Sequence, residues 1–78
     1  MKRVYLKQPA KFLDECDFDI GKRIVKAIDK IPSGDIKKLK GMKIETYRLR
    51  VGRVRVIYII ENDTLIISKI DYRGDAYK

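Results

Sequence analysis

The stretch Thr46-Tyr-Arg-Leu-Arg-Val-Gly-Arg-Val-Arg-Val-Ile-Tyr58 decides the fold of this chain. Apolar and polar residues alternate on both sides of Gly52-Arg53, and Gly-X is a favoured two-residue connection in a β-hairpin. The pattern therefore predicts two antiparallel strands joined by this turn. In the predicted register, Val51 faces Val54, Arg50 faces Arg55 and Arg48 faces Ile57.

Three arginines gather on one face of this predicted hairpin. Side chains alternate across a strand, so Arg48, Arg50 and Arg55 point to the same side. Like charges placed directly opposite each other weaken a hairpin, so an anion that lies between them would explain the cluster. Phosphate suits the planar fork of the guanidinium group. The alternative is a solvated basic face that binds nothing in particular, because charged strand faces are common.

The composition limits the classes of function. The 78 residues are expected to form one small domain over residues 1–78, and the net charge is +8. Lys37 to Arg55 carries eight Lys or Arg residues against the single acid Glu45, which indicates a polyanion or an acidic partner. Histidine is absent, and the lone Cys16 provides neither a disulfide framework nor a cysteine metal site. No metal and no cofactor are predicted.

The N-terminal sequence bears on where the protein works. Met1-Lys-Arg leads into an alternating pattern rather than into the continuous apolar run of a signal peptide. No segment approaches the length that is needed to cross a bilayer. We therefore expect a soluble, cytoplasmic protein without a membrane partner.

The residues around the hairpin predict an α+β fold. A short strand over Arg3–Lys7 is followed by two helices, the second over Ile20–Ile31, where apolar residues recur at helical spacing. Asp35 to Lys43 is predicted to be a basic loop that is anchored in the core by Leu39. Taken alone, its run of charge favours a solvated loop over a binding site. The expected architecture is an N-terminal strand and a two-helix hairpin packed on a mainly antiparallel four-stranded sheet.

The last strand is predicted over Leu65–Ile70, after a tight turn at Asn62-Asp63. A regular register places Ile57 opposite Ser68 and Ile70 beside Arg55. The central strand is apolar on both faces, and the two helices can cover only one of them. The other face is expected to dock a protein partner.

Four motifs in sequence order resemble the RelE branch of the RelE/ParE toxin superfamily. They are Lys37-Lys-Leu-Lys-Gly41, Tyr47-Arg-Leu-Arg-Val-Gly52, Arg55-Val-Ile-Tyr58 and Arg73-Gly-Asp-Ala-Tyr77. The resemblance covers nearly the whole chain and implies the toxin of a type II toxin-antitoxin pair. Its implied activity is cleavage of mRNA in the ribosomal 30S A site, and its implied partner is an acidic, partly disordered RelB-like antitoxin.

The resemblance also implies roles for single residues. Arg48 and Arg50 match basic residues that grip and activate the scissile nucleotide, and Arg55 matches the arginine that stabilises the transition-state phosphate. Arg73 matches the residue proposed to protonate the leaving oxygen, and Tyr77 matches the tyrosine that stacks on the base. The predicted RNA-binding set consists of Lys37, Lys38, Lys40, Lys43 and Arg53.

Cleavage of RNA is possible without histidine. The 2′-OH of the substrate can be the nucleophile, so the protein has to align it and to stabilise charge on the phosphorane. Arginine keeps its proton at physiological pH and practically cannot act as a base. Arg50 therefore acts electrostatically while water takes the proton, or the protein is a slower nuclease. Two other hypotheses are a ParE-like inhibitor of DNA gyrase and a catalytically inactive nucleic-acid-binding module.

Overall fold

The computed structural model describes residues 2–72, which form two helices and one five-stranded sheet. The elements in chain order are β1 (Lys2–Tyr5), α1 (Lys7–Glu15), α2 (Phe18–Asp29), β2 (Asp35–Leu39), β3 (Thr46–Val51), β4 (Val54–Glu61) and β5 (Thr64–Tyr72). The sheet order is β1-β5-β4-β3-β2, with β1 parallel to β5 and all other neighbours antiparallel. The α+β class is confirmed. Within residues 2–72, neither helix is both long and apolar enough to span a membrane.

The central hairpin has the predicted register. Val51 pairs with Val54, Arg50 with Arg55, and Arg48 with Ile57. Gly52 has a φ of 59°, as the first central position of a type II′ turn requires. The turn between β4 and β5 has a positive φ at both Asn62 and Asp63, the backbone of a type I′ turn. Both turns match the right-handed twist of the strands that they join.

The hydrophobic core lies between the two helices and one face of the sheet. Ile24 and Ile28 of α2 are one helical turn apart and are both fully buried, as their spacing predicts. Burial of each such side chain stabilises the fold by about 1.5–3 kcal/mol. The buried apolar residues are Ile24, Ile28, Leu49, Val51, Val54, Val56, Tyr58, Leu65, Ile67 and Ile70.

Helix α2 covers Phe18–Asp29, so it begins and ends two residues earlier than the sequence predicts.

The prediction of a four-stranded sheet was wrong, and so was the first half of the loop predicted over Asp35 to Lys43. The segment Asp35–Leu39 is the edge strand β2, paired with β3 from Asp35–Arg50 to Leu39–Thr46. Its lysines suit an edge, because charged side chains discourage pairing with further strands. Ile36 packs against the core, whereas Leu39 lies on the opposite face beside Thr46, so the predicted anchor was also wrong.

A bulge corrects the predicted register of β5. Tyr58 pairs with Ile67 as expected, but Ile57 pairs with Lys69, so Ser68 is the extra residue. The Ser68 hydroxyl donates a hydrogen bond of 3.2 Å to the Ile57 carbonyl. The cause is the spacing of the apolar residues: Ile67 and Ile70 are three apart, and regular alternation would send them to opposite faces. The bulge brings both into the core.

The glutamine in the first turn of α1 completes the hydrogen bonding of β5. Strand β1 pairs with β5 only from Thr64 to Ile67, because α1 begins at Lys7. Beyond that point, Gln8 Nε2 donates to the Ile70 carbonyl at 2.8 Å, and the Ile70 N–H donates to Gln8 Oε1 at 2.9 Å. The side-chain amide thus takes the place of a neighbouring strand at a buried residue.

Candidate functional site

The three arginines of the central hairpin share the sheet face that is turned away from the helices. Arg48 and Arg50 alternate with Leu49 and Val51, which point into the core. Arg55 lies directly opposite Arg50, one pair away from the turn. We call the surface formed by Arg48, Arg50 and Arg55 the arginine face. Its arrangement agrees with the arrangement predicted from the sequence.

The Arg48 guanidinium is buried and only partly paired. Its side chain is 11% exposed, and Nη2 lies 3.9 Å from Asp35 Oδ1. Its Nε and Nη1 atoms are buried and have no hydrogen-bond partner within the described part of the chain. A buried donor without an acceptor destabilises a fold by about 1–3 kcal/mol, and by more when it is charged. Arg48 therefore carries two buried donors that the described part of the chain leaves without an acceptor.

Arg55 is held by a carboxylate that sequence reasoning missed. Its Nε donates to Asp71 Oδ1 at 3.2 Å and its Nη2 donates to Asp71 Oδ2 at 3.1 Å. Lys69 Nζ lies 3.6 Å from the same Asp71 oxygen. Only the bulge places Asp71 opposite Arg55, so a regular register gives no signal of this pair. The carboxylate orients the guanidinium and competes with any other anion for it.

The predicted RNA-binding lysines are divided between the two faces of the sheet. Lys37 pairs with Arg48 and extends the arginine face, while Lys38 pairs with Tyr47 on the opposite face. Lys40 and Lys43 are exposed in the loop between β2 and β3. Of the remaining predicted residues, Arg53 is exposed at the β3–β4 turn, and Arg73 and Tyr77 lie outside the described residues. The structure therefore brings Lys37 to the arginine cluster but not Lys38.

A separate polar cluster occupies the opposite face near the start of β3. The Tyr47 hydroxyl donates to Glu45 Oε2 at 2.7 Å, and Lys38 Nζ lies 3.6 Å from the same oxygen. The hydrogen bond from Tyr47 and the charge of Lys38 lower the pKa of Glu45, and the same hydrogen bond raises the pKa of Tyr47. The Tyr47 ring stacks on Tyr58 with centroids 5.3 Å apart, which fixes the hydroxyl toward Glu45.

Apolar residues accompany the arginine face. Ile57, Ile59 and Ile66 lie on it and are half-buried. A second apolar surface, which sequence reasoning missed, lies on the outer side of the helices. There, Phe18 is 80% exposed and lines a groove of about 460 Å³ with Val25 and other residues of α1 and α2.

No family model matches the chain. The candidate toxin RelE1 of Methanocaldococcus jannaschii is 48% identical over 46 residues, which cover 56% of this chain and 50% of that protein. The match thus spans about half the length of this curated relative.

Two solved structures match over almost the full length. The archaeal RelE-RelB complex from Pyrococcus horikoshii OT3 contains a chain with a TM-score of 0.79 and 28% identity, with 94% of each chain covered. The RelB-RelE antitoxin-toxin complex from Methanococcus jannaschii contains a chain with a TM-score of 0.77 and 30% identity, with 95% of this chain and 94% of that chain covered. This chain belongs to the RelE toxin family. The RelE resemblance of the four motifs is thereby confirmed.

Proposed function

We propose that this RelE-family chain is the toxin of a toxin-antitoxin pair and that it cleaves mRNA on the ribosome, in the cytoplasm. The observation that carries the proposal is the arginine face. There, the buried Arg48 guanidinium has two nitrogens without a partner among residues 2–72, beside the opposed pair Arg50 and Arg55. A flexible solvated face would leave its guanidinium groups in water. A buried guanidinium with unsatisfied donors instead indicates a site built for an anion.

The chemistry follows from what guanidinium groups can do. Attack of the substrate 2′-OH on the adjacent phosphorus places additional negative charge on the phosphorane oxygens as the 5′-oxygen departs. Donors from Arg48, Arg50 and Arg55 stabilise that charge and align the attacking oxygen. Water accepts the 2′-OH proton, because arginine remains protonated at any physiological pH. Arg73 and Tyr77 are proposed from the family resemblance as the proton donor to the leaving oxygen and the base-stacking residue.

The proposed partner is a RelB-like antitoxin with an acidic, partly disordered segment. Both full-length structural matches are chains of complexes that contain RelB. The net charge of +8 and the half-buried Ile57, Ile59 and Ile66 beside the arginine face suit a segment that is both acidic and apolar. Such a segment would fold across the arginine face and would prevent RNA from reaching it.

Primer extension on a reporter transcript after brief induction tests the proposed activity. The transcript is compared with one whose start codon has been removed, and Arg55→Ala serves as the inactive control. We expect cuts within the translated frame. These cuts should vanish when the start codon is removed, and they should also be absent with Arg55→Ala. Cuts that persist without translation would indicate a free ribonuclease and overturn the ribosomal part. The absence of cuts, with DNA synthesis arrested instead, would overturn the nuclease in favour of a gyrase inhibitor.

A further inference from the structure

A cleft lies between α2 and the β3–β4 turn, on the side of the sheet opposite the arginine face. Its volume is about 310 Å³. Its lining includes an apolar wall of Ile20, Ile24 and Val54, the ring of Tyr72, and the exposed Arg23 and Arg53, which we call the rim arginines. Ligand sites in proteins typically have volumes of about 300–1,000 Å³, so the cleft has room for one small group such as a single nucleotide.

The two rim arginines come from different elements and converge on the turn. Arg23 lies on the exposed side of α2, and Arg53 is the second residue of the turn. The Arg23 guanidinium reaches across the mouth of the cleft, since a Cβ built on Gly52 would lie 3.8 Å from Arg23 Nη1. A side chain longer than that of glycine at this position would narrow the mouth.

The surroundings of Arg23 are basic. Arg23 also lines an adjoining groove of about 320 Å³ together with Lys22, Lys26 and a single acid, Asp19. The cleft therefore opens onto a run of positive charge along α2. An anion at the rim is favoured by the whole run and is opposed by the carboxylate of Asp19.

We propose that this cleft is a second RNA-binding site, in which Arg23 and Arg53 hold a backbone phosphate and the apolar wall receives the adjoining ribose or base. The inference rests on the proposed function in RNA cleavage and adds a contact outside the arginine face. Phosphate is favoured over a protein carboxylate because two guanidinium forks match its several oxygens, and the apolar wall suits a sugar or a base.

The position of the cleft allows one RNA strand to contact both sites. The Arg50–Arg55 pair is one residue pair from the turn, and a strand rises about 3.3 Å per residue. Arg53 at the exposed turn lies between the two faces. An RNA backbone that crosses the turn therefore passes from the arginine face to the cleft, and the second contact fixes the direction of the strand.

The test is fluorescence anisotropy of a labelled single-stranded RNA whose riboses are all 2′-O-methylated, so that binding is measured without cleavage. Arg23→Ala is compared with Lys30→Ala, which removes an exposed charge from the end of the same helix without touching the cleft. We expect Arg23→Ala to weaken binding about fivefold to tenfold and to reduce the slope of log K against log salt by about 0.7, the value for one phosphate of a single strand. Lys30→Ala should change affinity less than about twofold.

A second variant and a competitor make the outcome decisive. Arg23→Lys retains the charge but lacks the fork, so it should keep the salt slope while losing part of the affinity. Equal losses in Arg23→Ala and Lys30→Ala would overturn the cleft as a site. Polyglutamate is added as a competitor of the labelled RNA. If it displaces the probe as strongly as unlabelled RNA does, and if this displacement depends on Arg23, the cleft is a site for acidic protein and the proposal is overturned. Since the probe is not cleaved, failure of the nuclease activity would leave this result unaffected.

Discussion

Arg55 on β4 and Asp71 on β5 face each other and form a two-point pair, with Nε–Oδ1 and Nη2–Oδ2 distances of 3.2 and 3.1 Å. The pair puts a carboxylate inside a surface that is proposed to bind phosphate. Asp71 therefore has two opposing effects. It holds the Arg55 guanidinium in one orientation, and it repels the substrate.

The first prediction concerns Asp71→Asn, which removes the charge and preserves the size of the side chain. RNA affinity should rise by up to about fivefold, because a partly exposed ion pair contributes roughly 0.2–1 kcal/mol. Turnover of bound RNA should fall, because Arg55 is less firmly oriented. Anisotropy with uncleavable RNA and single-turnover cleavage separate the two effects. Weaker binding by the variant would show that Asp71 mainly supports the structure of the site.

The central hairpin could be predicted from sequence because its signals are local. A Gly-X turn and strict alternation determine the pairs from Val51–Val54 to Arg48–Ile57, and no distant residue is needed. The same reasoning failed at β5, where Ile67 and Ile70 are both required by the core. A bulge allows both to be buried, and this need arises from packing against the helices rather than from the local sequence. The edge strand β2 was missed because its lysines, which suit an exposed edge, resemble those of a loop.

The candidate site was predictable only in part for the same reason. The common face of Arg48, Arg50 and Arg55 follows from alternation alone. The carboxylates of Asp35 and Asp71 enter the site through β2 and the bulge, the two features that the pattern does not reveal. The burial of Arg48 likewise depends on how the neighbouring strands pack around it, and the sequence of β3 alone does not reveal this.

The second prediction is that Arg48→Met makes the protein more stable and less active. The buried Nε and Nη1 atoms lack hydrogen-bond partners in the described structure. An apolar side chain of similar length removes these unpaired polar atoms from the interior. The free energy of unfolding should rise by about 1–3 kcal/mol, measured by urea denaturation. RNA cleavage should fall at least about tenfold, since loss of a charged hydrogen bond of about 1.5–3 kcal/mol has that effect.

Arg50→Met is the matched control for the opposite effects of Arg48→Met on stability and on RNA cleavage. Arg50 is exposed, so its replacement should change stability by no more than about 0.5 kcal/mol while it also weakens RNA binding. A destabilised Arg48→Met would mean that the ion pair with Asp35 stabilises the fold by more than the unpaired Nε and Nη1 atoms destabilise it. Equal stability gains in both variants would point to general charge repulsion as the cause.

The third prediction concerns the side-chain amide that completes β5. Gln8→Ala leaves the N–H and carbonyl of the buried Ile70 without partners, which should reduce the free energy of unfolding by about 1–3 kcal/mol. The Ile70 amide should exchange with solvent faster than the amides of Ile67 and Val56, as measured by NMR. Lys11→Ala, an exposed change on the same helix, should stay within about 0.5 kcal/mol of the wild type. An unchanged rate of hydrogen exchange at the Ile70 amide would show that water replaces the Gln8 side chain without loss of protection.

The fourth prediction is a pH dependence that arises from Glu45 and Tyr47. The pKa of Glu45 is lowered in the folded protein, so its contribution to stability is present above its ordinary pKa of 4.5 and disappears as the pH falls through the lowered value. The pKa of Tyr47 is raised, so its contribution is present below its ordinary pKa of 10.0 and disappears as the pH rises through the raised value. The hydrogen bond between them therefore stabilises the fold most between these two values.

Comparison of wild type with Glu45→Gln tests this window. The stabilisation of the wild type relative to Glu45→Gln, measured by the thermal unfolding midpoints, should be largest near neutral pH and should decrease toward both extremes. Spectrophotometric titration should show one tyrosine ionising at lower pH in Glu45→Gln, because Tyr47 no longer donates to a carboxylate. Glu15→Gln, which changes an exposed acid at the end of α1, should leave the tyrosine titration unchanged. A difference in midpoint that persists at strongly acidic pH would assign the effect to the substituted amide group rather than to ionised Glu45, since the carboxylate is then protonated.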